Sequence, residues 1–140
     1  MSNKKINVAI VGANFGQCFV PIYQAHPNVE YVGLCDLNEQ RVREAGKECG
    51  VEQIHTSLDE VISSGWYDAV HILTSIGSHA PLCAQVMNAG LHCASAVTMG
   101  MTLDDLTSVL ETQRRNKVRY MMMETSIYWK VHFYAKQMYA

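Results

Sequence analysis

Apolar residues in this chain come in short runs, separated by segments in which they recur every three or four positions. The first run, Ile6-Asn7-Val8-Ala9-Ile10-Val11, breaks at Gly12, and the second, Val29-Glu30-Tyr31-Val32-Gly33-Leu34-Cys35, ends on Asp36. Further runs cover residues 53–55, 68–75, 92–97 and 118–123. Runs with little polar alternation are what parallel strands show when helices cover both of their faces. The intervening segments carry the helical period. They are residues 18–25, then Glu39–Cys49 with Val42, Ala45 and Cys49 inward, then a short helix with Leu58, Val61 and Ile62 inward. Residues 79–89 follow with Leu82, Val86 and Ala89 on one face, and a last helix carries Leu103, Leu106, Val109 and Leu110.

Punctuation supports these boundaries. Asn38 is placed to cap one helix, Ser57-Leu58-Asp59-Glu60 reads as a capping box, and Thr102-Leu103-Asp104-Asp105 opens the last helix. Gly50, Gly65 and Gly90 sit at helix ends, and Pro27 stops the first helix. Pro21 fits only if it falls in a first turn. Six strands alternating with helices, without a repeat or a low-complexity linker, predict one α/β domain: a doubly wound parallel sheet with helices on both faces.

The turn after the first strand carries the candidate chemistry. Gly12-Ala13-Asn14-Phe15-Gly16-Gln17 keeps the first glycine of the G-x-G-x-x-G dinucleotide-binding pattern. Asn14 stands at the second glycine and tolerates a left-handed turn better than most residues. Gly16 can serve as the third if the loop is one residue shorter. A helix beginning here aims free N–H groups and its positive dipole end at the turn, which suits a phosphate. Asp36, with Leu37 beside it, lies 24 positions after Gly12 (36 minus 12) at the end of the second strand. An acid there accepts the adenosine ribose hydroxyls and favours NAD over NADP, because a carboxylate repels a 2′-phosphate. Arg41, one helical turn on, works the other way.

Composition narrows the classes. The 140 residues carry a net charge of −2, which gives no basic patch for nucleic acid. Five cysteines, Cys18, Cys35, Cys49, Cys83 and Cys93, have no CxxC or other metal-ligand spacing and read as reduced, buried thiols. Neither a signal-peptide pattern nor a membrane-length apolar stretch occurs, so a soluble, cytoplasmic protein without a metal is expected.

Taken together, the motifs carry a resemblance. Thr74-Ser75-Ile76-Gly77-Ser78-His79 lies where the glucose-fructose oxidoreductase / inositol dehydrogenase (Gfo/Idh/MocA) family has T-P-x-x-x-H. Ala89-Gly90-Leu91-His92-Cys93 is similar to its A-G-K-H-V, and Met101-Thr102-Leu103-Asp104-Asp105 to its L-T-L-E-E helix start. The chain resembles that family's N-terminal domain over essentially all of its length. The resemblance implies an NAD(P)-binding domain over residues 1–126. Residues 127–140 would then begin a connecting helix toward a substrate domain outside this chain. It also implies cofactor contacts from Thr74, Ser75, His79 and Val97, beside those of Gly12, Ala13, Asn14, Phe15, Gly16, Asp36, Leu37 and Arg41. The family's E-K-P reads Ala96-Val97-Thr98 here, so the lysine that faces the reacting oxygen is replaced by Val97.

Other residues have plainer readings. His79 opens a helix at the carboxyl edge of the sheet, facing either a ligand or solvent; His71 and His92 read as core or edge histidines. His26, His55 and His132 belong to no constellation, and Met121-Met122-Met123 reads as core filling on the last strand. Glu124 is more simply a capping or solvated acid than a cleft residue. Tyr128, Trp129, Phe133 and Tyr134 form a cluster suited to packing on the substrate domain or on a second copy of the chain.

The leading functional expectation is the cofactor-binding part of an NAD-dependent oxidoreductase of sugar- or polyol-like substrates, with no catalytic residue assigned. A nucleotide-binding sensor or non-catalytic member of the same family is the alternative that Val97 favours. A methyltransferase on the same topology usually has an acid just before the glycine turn, where this chain has Ile10-Val11.

Overall fold

The computed structural model describes residues 4–139, so the outer ends of the spans 1–126 and 127–140 lie outside the described residues. Six strands lie in one sheet: β1 (Ile6–Val11), β2 (Val29–Cys35), β3 (Ile54–His55), β4 (Ala69–Ile72), β5 (His92–Ala96) and β6 (Tyr120–Met123). Their order is β3-β2-β1-β4-β5-β6, and every neighbouring pair is parallel. The chain winds outward from β1 to one edge, then returns to β4 and winds to the other. That reversal opens a crevice at the carboxyl ends of β1 and β4, where ligands bind in open α/β sheets.

The central strands are mostly apolar because both faces are covered. On β1, Ala9 and Val11 join a core with Val70, Ile72, Cys83 and Val86. Ile10 points the other way, into a core with Val20, Leu34 and Val42. Burying each aliphatic side chain of this size contributes about 1.5–3 kcal/mol.

Helix α1 (Ala13–Gly16) begins directly after Gly12 and runs through a 3₁₀ turn (Gln17–Phe19) into α2 (Val20–Ala25). This corrects the expected start at Cys18: the Gly16 amide already donates to the Gly12 carbonyl at 2.9 Å. Pro21 lies in the first turn of α2, where a missing N–H is tolerated. Asn14 adopts the right-handed conformation of α1, so its tolerance of a left-handed turn is not used.

Helix α3 (Glu39–Cys49) is capped by Asn38, whose side chain accepts from the Arg41 amide, and it stops at left-handed Gly50. Val42 and Ala45 are buried as expected, but Gly46 takes the third inward position and Cys49 is only half-buried. In α4 (Leu58–Ser63) the Ser57 side chain accepts from the Glu60 amide. The Glu60 carboxylate, however, accepts from the amide and hydroxyl of Thr56 at 2.8 and 2.9 Å, reaching one residue beyond the expected box. Helix α5 (His79–Asn88) stops one residue short of Ala89, which is exposed.

Helix α6 (Leu103–Asn116) has the reciprocal capping box of Thr102 and Asp105. Its inward positions are Val109 and Thr112, whereas Leu103 is 80% exposed and Leu110 is also exposed. Leu103 and Leu110, seven residues apart, share a stripe of the helix that nothing among the described residues covers. Met121 and Met122 are likewise exposed, on an edge strand with a neighbouring strand on one side only; this corrects their reading as core. Helix α7 (Lys130–Met138) carries no buried residue, and Tyr128, Trp129, Phe133 and Tyr134 all face outward.

Three of the five free thiols, Cys35, Cys83 and Cys93, are buried, but Cys18 is exposed and Cys49 half-buried, which corrects the reading of all five as core. No helix among the described residues is long and apolar enough to cross a membrane.

His71, on β4, is a core histidine, 1% exposed, with its Nδ1 3.1 Å from the Tyr23 hydroxyl. Its Nε2 has no hydrogen-bond partner among the described residues. Burial pushes its pKa down to about 4 from the ordinary 6.5. Between these values the unfolded chain takes up a proton that the folded chain refuses, so stability falls as pH drops from 6.5 to 4. The expected loss is on the order of 3 kcal/mol. Denaturant titrations at pH 7 and pH 4.5 on wild type and His71→Phe check it. The variant should lose that part of the acid sensitivity, and identical pH profiles would count against the assignment.

Candidate functional site

The site is built where β1, β2 and β4 end. Gly12 adopts φ +101°, and a Cβ placed on it would lie 2.4 Å from the Leu73 carbonyl oxygen. The turn can therefore close against the end of β4 only without a side chain. Gly16 has a different role: a Cβ there would lie 2.5 Å from Cγ2 of Ile10, so its absence lets the helix sit tight on β1. That is the packing role of the third glycine in the dinucleotide-binding pattern, taken here by a loop one residue shorter. The amides of Asn14 and Phe15 come before the first intrahelical bond, and both residues line the crevice.

Asp36 is tied to that turn. Its Oδ2 accepts from the Ala13 amide at 2.9 Å, and its Oδ1 from the Asn38 amide at 2.9 Å. Arg41 Nη1 lies 3.1 Å from Oδ1 and 3.4 Å from Oδ2. The carboxylate is 8% exposed. A carboxylate has about four acceptor positions. Two are therefore held by backbone amides and a third by Arg41, whose own side chain is half exposed and free to yield it. The Asx turn from Asp36 to Asn38 is a signal that Asp-x-Asn carries in sequence. Beside it, burial, then the neighbouring Asp36 and Glu60, push the Cys35 thiol up to about 12, so Cys35 stays protonated and is no nucleophile.

The far wall is the loop after β4. Thr74 Oγ1 and Ser78 Oγ are 2.7 Å apart, and Ser78 Oγ donates to the Ser75 carbonyl at 2.7 Å. The whole crevice encloses about 960 Å³, at the upper end of the range of about 300–1,000 Å³ for small-molecule and cofactor sites. Of the expected residues, Gly12, Asn14, Phe15, Asp36, Leu37, Arg41, Thr74 and Ser75 line it. Ala13 and Gly16 are buried behind the turn, acting through backbone and packing. Sequence reasoning missed Asn38, Ser78 and the apolar Leu58, Leu73 and Leu82. Ser78 sat inside the Thr74–His79 motif, but the leucines carried no signal beyond core.

Two expected residues lie off the crevice wall. His79 is 1% exposed, with Nδ1 2.6 Å from the Thr98 carbonyl oxygen and Nε2 3.1 Å from that of Thr74. It is therefore neither solvated nor a wall residue. Val97, 37% exposed, follows β5 and presents no proton donor or acceptor from its side chain. Glu124 is exposed, and its carboxylate accepts from the amide and hydroxyl of Ser126 at 2.7 and 2.6 Å, which holds its pKa below the usual value. It is a local cap, as the plainer reading has it.

A glycine turn, a strand-end acid and a large crevice at the topological reversal define a dinucleotide-binding doubly wound domain. The chain matches, over residues 6–124, the family model described as "Oxidoreductase family, NAD-binding Rossmann fold" (GFO_IDH_MocA), and it belongs to that family. It is 26% identical to D-apiose dehydrogenase of Paraburkholderia graminis, across 86% of this chain and 32% of that protein. It is 28% identical to a glycosyl hydrolase family 109 protein of Stenotrophomonas maltophilia, across 96% of this chain and 32% of the relative. The chain thus spans about a third of the length of these curated relatives. Among solved structures, scyllo-inositol dehydrogenase from Lactobacillus casei with bound NAD(H) and scyllo-inositol superposes with a TM-score of 0.82. That match is at 22% identity, over 97% of this chain and 41% of the other. Family membership sets aside the methyltransferase alternative.

Proposed function

We propose that this chain is the NAD(H)-holding domain of an oxidoreductase that acts on a sugar- or polyol-like alcohol. The observation that carries the reading is the Asp36 carboxylate joined to the Gly12 turn across one crevice. In this reading the adenosine ribose sits against Asp36 and Leu37. The pyrophosphate lies over the amides of Asn14 and Phe15, and the second mononucleotide lies along Thr74 and Ser75 toward Val97. Bound there, the cofactor supplies the hydride acceptor; the chain's own residues hold and orient it. The names of the relatives, which include a dehydrogenase of a sugar and a dehydrogenase of an inositol, support the substrate class. Residues 1–126 form this domain, and residues 127–140 lead toward a substrate domain. Helix α7 supports that arrangement, since its Val131, Phe133, Tyr134 and Met138 are all exposed.

A non-catalytic nucleotide sensor is the second reading, favoured by Val97 at the position of the family's lysine.

NAD(H) is expected to bind more tightly than NADP(H), because a 2′-phosphate would approach the Asp36 carboxylate. Arg41 offsets part of that repulsion without removing it. Calorimetric titration with each cofactor tests this, and equal or reversed affinities would sink the role given to Asp36. Asp36→Ala is expected to weaken NAD binding by about 1–3 kcal/mol, the range for hydrogen bonds to a charged partner. Since Asp36 also holds the Ala13 amide, Asp36→Asn is the needed companion: it keeps an acceptor for the turn while discarding the charge.

A further inference from the structure

Two loops follow the carboxyl ends of β4 and β5, and one buried ring joins them. The β4 loop is residues 73–78, and the β5 loop is residues 97–101. His79 stands between them, with Nδ1 2.6 Å from the Thr98 carbonyl and Nε2 3.1 Å from the Thr74 carbonyl. Carbonyl oxygens only accept, so the ring is the donor wherever it bonds them. The contact to Thr98 is the shorter of the two.

The β5 loop is gripped from its other side as well. Asp105 Oδ2 accepts from the amides of Met101 and Thr102 at 2.9 and 3.0 Å. A Cβ built on Gly100 would lie 3.4 Å from Cβ of Ala80 in α5, and one on Gly77 would lie 3.8 Å from Sδ of Met101. The loop is thus clamped at Thr98 by His79 and at residues 101–102 by Asp105, with Val97 just before the first clamp. In a doubly wound sheet each half holds one mononucleotide. Asp36 and the Gly12 turn belong to the half of β1 to β3, while the His79 clamp belongs to the half of β4 to β6.

We infer that His79 is a positioning residue for the nicotinamide half of the cofactor: it touches no ligand, and it fixes the relative height of the two loops between which that half rests. The inference rests on the cofactor reading above. It adds that the two halves of the crevice are held independently, the adenosine half by Asp36 and the nicotinamide half by His79.

The test compares NADH with AMP, which lacks the whole nicotinamide mononucleotide and fills only the adenosine side. His79→Leu keeps approximate volume without the N–H, and His79→Gln keeps a donor. In the leucine variant NADH should bind about tenfold more weakly, the factor carried by one hydrogen bond of ordinary strength. AMP affinity should be unchanged, and the glutamine variant should recover part of the loss. Equal losses for both ligands, or none for either, would overturn the inference, the first by making His79 a general scaffold residue. Should the leucine variant not fold, ring resonances of His79 in the wild-type chain decide. They should move on adding NADH and stay in place with AMP; equal movement with both overturns the inference. Wild-type protein that binds neither ligand would instead overturn the cofactor reading itself, and this inference with it.

Discussion

Gly12→Ala is expected to destabilise the protein by about 4 kcal/mol, in the exceptional tail of single substitutions. Two costs combine. A backbone at φ +101° disfavours any side chain, by roughly 1–2 kcal/mol in the left-handed region. The larger cost is steric, since the new methyl group would lie 2.4 Å from the Leu73 carbonyl oxygen and 2.7 Å from its carbon. Relief requires the end of β4 to move away from the turn. That would break the bond from the Leu73 amide to the Val11 carbonyl, now 2.7 Å, and open the crevice. Gly50→Ala is the control, because Gly50 has φ +66° with nothing within 4 Å of its built Cβ. It should cost only about 1 kcal/mol. Denaturant midpoints of the two variants separate the effects. A Gly12→Ala protein as stable as Gly50→Ala would show that the close approach to Leu73 is not rigid.

The second large effect is an absence of turnover. A polypeptide of these 140 residues is expected to bind NAD(H) and yet produce no NADH from any sugar or polyol. Oxidation of an alcohol sends a hydride to the cofactor and a proton to a base beside the same oxygen. At the position where the resemblance puts a lysine, Val97 offers neither donor nor acceptor. Losing a positioned acid or base costs on the order of 10²–10⁴ in rate. The two candidates within the chain for another proton path do not supply one. His79 is buried with both nitrogens against backbone carbonyls, and Glu124 is turned to Ser126. Restoring the lysine by Val97→Lys should not rescue activity in this polypeptide, because the domain that would hold the substrate oxygen is outside it in the reading proposed. Steady NADH formation from any such alcohol by the unsubstituted polypeptide would refute the expectation.

The corrections have one physical pattern. Elements whose identity depends on local chemistry stood where expected: β1 ending at Gly12, α3 capped by Asn38, α6 opened by Thr102 and Asp105. Errors fell where burial depends on what lies across from a residue. Leu103, Leu110, Met121 and Met122 have core-like side chains, but the first two lie on the exposed side of α6 and the last two on the edge strand β6. Residues 18–25 have helical composition, yet the helix starts at Ala13 because Gly12 completes the turn in one residue.

By itself the sequence determined the parallel sheet, since unbroken apolar runs between amphipathic segments have few other ways to bury both strand faces. It determined the glycine turn and the strand-end acid too, because a tight turn needs glycine and a fixed spacing brings Asp36 back to it. The tertiary structure decided what those residues do to one another. Only it shows that Asp36 spends half of its acceptor positions on the backbone of its own site, through the Ala13 and Asn38 amides. Only it shows that Gly16 is required by Ile10, and that His79 faces inward to two carbonyls rather than outward. Those facts depend on atoms brought together from distant parts of the chain. Residue type and spacing limit which groups can meet, and packing of the helices on the sheet selects which of them do.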